Sequence, residues 1–343
     1  MSFTSTLNQN NQSLLPVLTR EGVLLKVSIS FWRGYMKLRA EDIGLKKKAI
    51  SDRLICLGHK RLLPKEALAE LSLIEGRAHA LVEANTFPFL NGLAHFLPNA
   101  RLSEVMQKLE DLKVSFWSAK AQFLKKYSSL RQSASAEWRS MAQNLVDDPE
   151  RLVATIEASF PFPEQMDRYY AFDMQLFQIA MPQNLAAELI STGDQEAVIR
   201  ARQQATLAAS AKIRSGVESF VADCVASLRE QTAQLCEEML SSINNSETGV
   251  HQKTLNRLVR FIDQFKQMNF VNDWEMEQQL NQVKQQLLHK TAEEYRDSAT
   301  SRHRLKQGLS QLASHARSLA KQDASEIVQR FGELGQRRFA LAV

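Results

Sequence analysis

Apolar residues recur along most of this chain at the three- and four-residue spacing of helices, and at only two places do they alternate in the manner of a strand. Residues 1–13 are rich in Asn, Gln, Ser and Thr and read as a loose leader. From Val23 to Phe31, Leu25, Val27, Ile29 and Phe31 fall on one face and Lys26, Ser28 and Ser30 on the other, which predicts a strand. Residues 337–343 alternate similarly, with Phe339, Leu341 and Val343 on one side. Since a lone strand has no partner for its backbone groups, the two ends, or the first strand and a local hairpin, are expected to form a small sheet.

Helical signals dominate the rest. Pro64 opens an amphipathic helix carrying Leu68, Leu71, Ile74, Ala78 and Leu81, and a Pro- and Gly-containing loop is expected from Phe87 to Arg101, with Ser103 capping or beginning the next helix. Leu102, Leu109, Phe116, Phe123 and Leu130 then lie at intervals of seven, with Val105, Leu112, Ala119 and Tyr127 as the second row, a heptad seam that extends toward Trp138, Met141 and Leu145. Asp147-Asp148-Pro149 breaks this helix, and Asp caps the short helix that runs on to about Ser159. An aromatic-rich stretch leads to Pro182.

From Asp194 to Ser242 there is no proline, which predicts a helix of ~75 Å. Its apolar rows, Ile213, Cys224, Leu235 and Val217, Leu228, Met239, recur every eleven residues, a period that supercoils weakly to the right. Further helices carry Leu255, Leu258, Ile262 and Phe265, then Leu280, Val283 and Leu287 beyond a kink at Asn269 to Asp273, and finally Leu305, Leu309, Leu312, Ala316 and Leu319. The fold class expected is mainly α, an elongated antiparallel helical bundle or coiled coil with a small β element. The divisions are a leader (1–13), a small β-containing basic segment (14–63), a helical region (64–160), an aromatic-rich connector (161–193), a long-helix region (194–336) and a possible terminal strand (337–343).

Composition narrows the classes. Only 12 Gly and 8 Pro in 343 residues argue against a turn-rich sandwich or barrel. The net charge is a mild +5, but from Arg33 to Lys65 ten Lys or Arg face three acidic residues. Three cysteines, Cys56, Cys224 and Cys236, without a CxxC pair, suggest reduced thiols and a cytoplasmic protein. No export signal and no membrane span are indicated.

No phosphate-binding loop, dinucleotide fingerprint or HExxH motif is present in the sequence, so no catalytic, cofactor or metal residues are assigned. Cys224 lies on the apolar stripe of the long helix, as a structural thiol would, whereas Cys56 sits among cations that favour a thiolate. Lys46, Lys47, Lys48, Arg53, Lys60 and Arg61 form the candidate contact for nucleic acid or an acidic partner, with Trp32 and Tyr35 near enough in sequence for stacking. The plainer alternative is a solvated face. The run Phe160 to Met181 reads either as a packed cap or as an interfacial tongue.

Four segments, Ile29-Ser30-Phe31-Trp32-Arg33-Gly34, Ala40-Glu41-Asp42-Ile43-Gly44-Leu45, Cys56 to Pro64, and Phe87-Pro88-Phe89-Leu90, together resemble a family of uncharacterised proteins of phages, integrative elements and large plasmids, defined as a domain of unknown function. The resemblance covers about the first 150 residues. It implies a gene setting beside a MoxR-type AAA+ ATPase and a von Willebrand factor A protein, and hence a non-enzymatic scaffold or adaptor partnering that ATPase. A nucleic-acid-binding accessory factor of a mobile element is the alternative, and a helical membrane effector a third reading. Self-association stays open, because helix seams can be satisfied within or between chains.

Overall fold

The computed structural model describes residues 14–43, 57–89, 92–179, 196–245, 249–322 and 326–331, and over these the chain is mainly helical with a small antiparallel sheet. In chain order the elements are α1 (Leu15–Glu21), β1 (Gly22–Ser30), β2 (Tyr35–Lys37), β3 (His59–Arg61), α2 (Ala69–Asn85), β4 (Phe87–Phe89), β5 (Ala94–Pro98) and α3 (Asn99–Leu145). They continue with α4 (Pro149–Ala158), β6 (Ala171–Phe177), α5 (Glu196–Asn245), α6 (Gln252–Met268), α7 (Trp274–Leu287), α8 (Ala292–Asp297) and α9 (Ala299–Lys321). Two compact units divide them: residues up to Leu25, Asn85–Leu102 and Leu176 onward in the first, Lys26–Ala84 and Ser103–Gln175 in the second.

In the first unit, the start of β1 pairs antiparallel with β5, from Gly22 opposite Pro98 to Leu25 opposite His95, and β5 pairs with β4 in a hairpin. The expected loop from Phe87 to Arg101 is therefore corrected to two strands, and α3 begins at Asn99, so Ser103 lies inside a helix rather than capping or beginning one. Phe87, Phe89 and Phe96 are buried while Pro88 is exposed, so the proline sits where an edge strand tolerates it. Gly22 answers a close approach, since a Cβ there would lie 2.5 Å from the Leu97 carbonyl oxygen.

The long helix α5 packs on α9 and α6, and α7 packs on both α6 and α9. Val217, Phe220, Val221, Cys224, Leu228, Leu235 and Met239 enter a core shared with Leu255, Ile262 and Phe265 of α6 and Leu305, Leu309 and Leu312 of α9. Phe220 stands edge-on to Phe89 and Phe96, and Phe270 meets Phe87 and Phe331. From Gln204 to Lys212 each side chain is exposed or half-buried, and Leu207 is 71% exposed.

A buried ion pair locks this core. Arg229 Nε donates to Asp273 Oδ2 at 2.6 Å, its Nη1 donates to the Leu319 carbonyl at 2.8 Å, and the Asp273 amide donates to Asn269 Oδ1 at 2.7 Å. One guanidinium thus ties α5 to the α6–α7 turn and to the end of α9, its attachment being satisfied on each side as a buried charge requires.

In the second unit, α3 buries Val105, Leu109, Phe116, Ala119, Phe123 and Tyr127, and β6 borders β1. Phe31 and Phe172 pack edge-on to Phe116, and Trp32 contacts Phe123, Tyr127 and Phe160. The heptad row does not extend to Met141 and Leu145, which are exposed, and burial passes to Ala134, Ser135 and Ala142. A straight helix falls ~20° behind each seven-residue step, so a fixed heptad row leaves the buried face after a few repeats. Asp148 caps α4 by accepting from the Arg151 amide at 3.1 Å, as its sequence predicts. The run expected to be a connector holds a short 3-10 stretch and β6, with Tyr170 and Phe172 buried. The possible terminal strand 337–343 and the leader 1–13 lie outside the described residues.

Replacing Asp273 by Ala leaves Arg229 buried without its partner and is expected to cost about 3–5 kcal/mol in urea unfolding. The double change Arg229→Met with Asp273→Leu is expected to lose less than Asp273→Ala alone. Equal losses would show that the pairing itself does not govern stability there.

Candidate functional site

The basic segment folds around a two-stranded ribbon. Trp32 anchors its base in the aromatic cluster, and Arg33 lies over the Phe31 ring at 3.9 Å while gripping Glu75 of α2 with bonds of 2.7 and 2.6 Å. These bonds raise the Arg33 pKa above its ordinary value. Gly34 then turns the chain with φ +63°, a conformation that favours glycine, and its carbonyl accepts from the Leu62 amide at 2.7 Å. Gly58, with φ +74°, performs the same service before β3.

Strands β2 and β3 run antiparallel, with Tyr35 opposite Arg61, Met36 opposite Lys60 and Lys37 opposite His59. Period-two geometry therefore puts Tyr35, Lys37, His59 and Arg61 on one face, and all four are exposed. The Tyr35 and His59 rings meet edge to face at 5.0 Å. On the other face Lys60 is only 6% exposed, with Nζ 2.8 Å from Asp42 Oδ2. Asp42 Oδ2 also accepts from the Arg39 amide at 2.8 Å, and Trp138 Nε1 of α3 donates to the Arg61 carbonyl at 3.0 Å. The ribbon is fixed on its inner side and presents cations and rings on its outer side.

This placement corrects two expectations. Lys60 is not a surface contact, because its charge is consumed by Asp42, and Trp32 is not available for stacking, because it is buried against Phe123, Tyr127 and Phe160. Arg61 is exposed as expected of a contact residue. Lys46, Lys47, Lys48, Arg53 and Cys56 lie outside the described residues. His59, read with Lys60 and Arg61 as a possible phosphate contact, is exposed too, and Lys37 and Arg39 join the exposed group without having been singled out; the signal was the alternation in Tyr35-Met36-Lys37 and His59-Lys60-Arg61 beside two glycines.

The seam residues divide between buried and half-buried positions. Leu109, Phe116 and Phe123 are buried on α3, with Leu102 and Leu130 half-buried; Val217, Cys224, Leu228 and Leu235 are buried on α5, with Ile213 half-buried. Among the described residues, no group of three His, Cys, Asp or Glu side chains is arranged to hold a metal ion, and no helix is long and apolar enough to cross a membrane.

A family model described as a protein of unknown function, DUF3150, matches residues 19–295. The chain belongs to the DUF3150 family. The match includes the whole ribbon and nearly all of the first unit's helices through α8. No curated protein and no solved structure matches the chain.

Burial pushes the Cys236 thiol up to about 12 and holds Cys224 well above its ordinary value, in each case helped by an adjacent carboxylate. Both are therefore neutral thiols near pH 8, and the thiolate is the reactive form. Brief iodoacetamide treatment at that pH is expected to leave both unmodified in the folded protein and to alkylate both in concentrated guanidinium, read by peptide mass mapping. Labelling of either in the folded state would contradict its place in the core.

Proposed function

We propose that this DUF3150 protein is a non-enzymatic cytoplasmic adaptor of a mobile-element or phage-related module, with a MoxR-type AAA+ ATPase as its partner. The observation that carries the reading is the division of α5. Its later half is committed to the core, whereas Gln204 to Ala211 is a run without a charged residue whose side chains are exposed or half-buried. An uncharged helical face with Leu207 exposed offers a surface that a protein partner can cover, which supports this reading. Helices of 47 and 50 residues supply the long supports a scaffold uses, and in this reading α5 and α9 pair as an antiparallel coiled coil. The partner's identity is supported by the resemblance of the segments around Gly34, Asp42, Gly58 and Pro88 to proteins encoded beside such ATPases.

Co-expression of the tagged chain with the ATPase encoded beside its gene, followed by affinity capture and mass measurement with and without nuclease, tests the proposal. The expected result is a stoichiometric complex that survives nuclease and is weakened at least ten-fold by Leu207→Asp, a change at an exposed position that leaves the fold intact. Capture of the adaptor alone, or a complex indifferent to Leu207, would refute the respective part of the reading.

A further inference from the structure

We infer that the outer face of the β2–β3 ribbon is a binding site for single-stranded nucleic acid. The inference goes beyond the adaptor reading and rests on how the ribbon sorts its charges. Asp42 would neutralise neighbouring cations if it faced solvent, but it is buried against Lys60, so this internal pair removes one acid and one base from the surface together. Glu75 is occupied by the Nη1 and Nη2 donors of Arg33. Lys37, Arg39 and Arg61 are left exposed around Tyr35 and His59.

The chemistry of this face has two parts. Two cations on two short strands, Lys37 and Arg61, with Arg39 exposed two residues beyond β2, match a run of phosphates, and the Tyr35 ring, 47% exposed and buttressed edge to face by His59 at 5.0 Å, is a platform on which a base stacks. An acidic protein surface would use the cations but gains little from an aromatic ring held in that position. Strand register also fixes the spacing, because Tyr35 lies directly across from Arg61, so a stacked base and its neighbouring phosphate can be engaged together. Single strands suit such a site better than duplex, whose bases offer no free π-face.

The test uses the purified full chain and a fluorescein-labelled oligothymidylate of about 15 nucleotides, read by anisotropy over a salt series. With three phosphate contacts, log affinity is expected to fall against log salt with a slope of about −2. Lys37→Glu and Arg61→Glu are each expected to flatten the slope by about 0.7 and to weaken binding at least about ten-fold. Tyr35→Ala is expected to weaken binding by about 5- to 150-fold, while Tyr35→Phe retains it, which separates stacking from charge and from damage to the fold. All four substitutions are at exposed positions, and matching circular dichroism and melting midpoints confirm that the ribbon is intact. No binding at low salt overturns the inference, as does binding unchanged by the Lys37 and Arg61 reversals. Competition by polyglutamate as strong as that by unlabelled oligonucleotide, with Tyr35→Ala without effect, would overturn it in favour of an acidic protein partner.

Discussion

A helix that is apolar on one side must find cover for that side wherever it is to be stable in water, and two helices of 47 and 50 residues impose this demand over a great length of chain. Much of the remaining structure answers it. In the second unit α3 is covered by Phe31, Trp32, Phe160, Tyr170 and Phe172, aromatic side chains delivered by strands and turns. In the first unit α5 is covered by α9 and α6 and by the phenylalanines of the β4–β5 hairpin. Among the described residues, every side chain from Gln204 to Lys212 is exposed or half-buried.

Two buried ion pairs act at different points of this arrangement and do different work. Arg229 and Asp273 join three elements of one core, so their contribution is to specify how α5, the α6–α7 turn and α9 meet. Asp42 and Lys60 lie beneath a two-stranded ribbon, where their effect is on what is left outside: with that acid turned inward, Lys37 and Arg61 are the cations that the described residues of the strands leave exposed on the outer face. The same kind of interaction thus fixes a core in one unit and the charge of a surface in the other. Two glycines with positive φ, Gly34 and Gly58, allow the ribbon to form at all, since side chains at those angles would be strained.

The long helices were legible in the sequence because their cues are local and repeated: the proline-free stretch from Asp194 to Ser242 corresponds to α5, and Asp148-Pro149 marks the start of α4 with its cap. The β4–β5 hairpin was not, because Pro88, Gly92 and Pro98 read as loop while the pairing that anchors β5 in the sheet, Leu25 with His95, joins distant positions. The candidate site was legible as a concentration of charge and misread in its detail. Counting cations cannot tell Lys60, whose partner Asp42 lies eighteen positions earlier, from Arg61 beside it; only strand pairing sends one inward and the other out. The Arg229–Asp273 pair had no sequence signal, being forty-four positions apart.

The account stands most directly on α5 being one helix with two environments, and amide hydrogen exchange along it in the isolated protein tests this. Peptides from Val217 to Ile243, buried against α6 and α9, are predicted to exchange near the rate of global unfolding, and those from Gln204 to Lys212 to exchange orders of magnitude faster through local opening. Uniformly slow exchange from Gln204 through Ile243 would contradict the account, since it would mean that the earlier half of the helix is already held by the protein's own core.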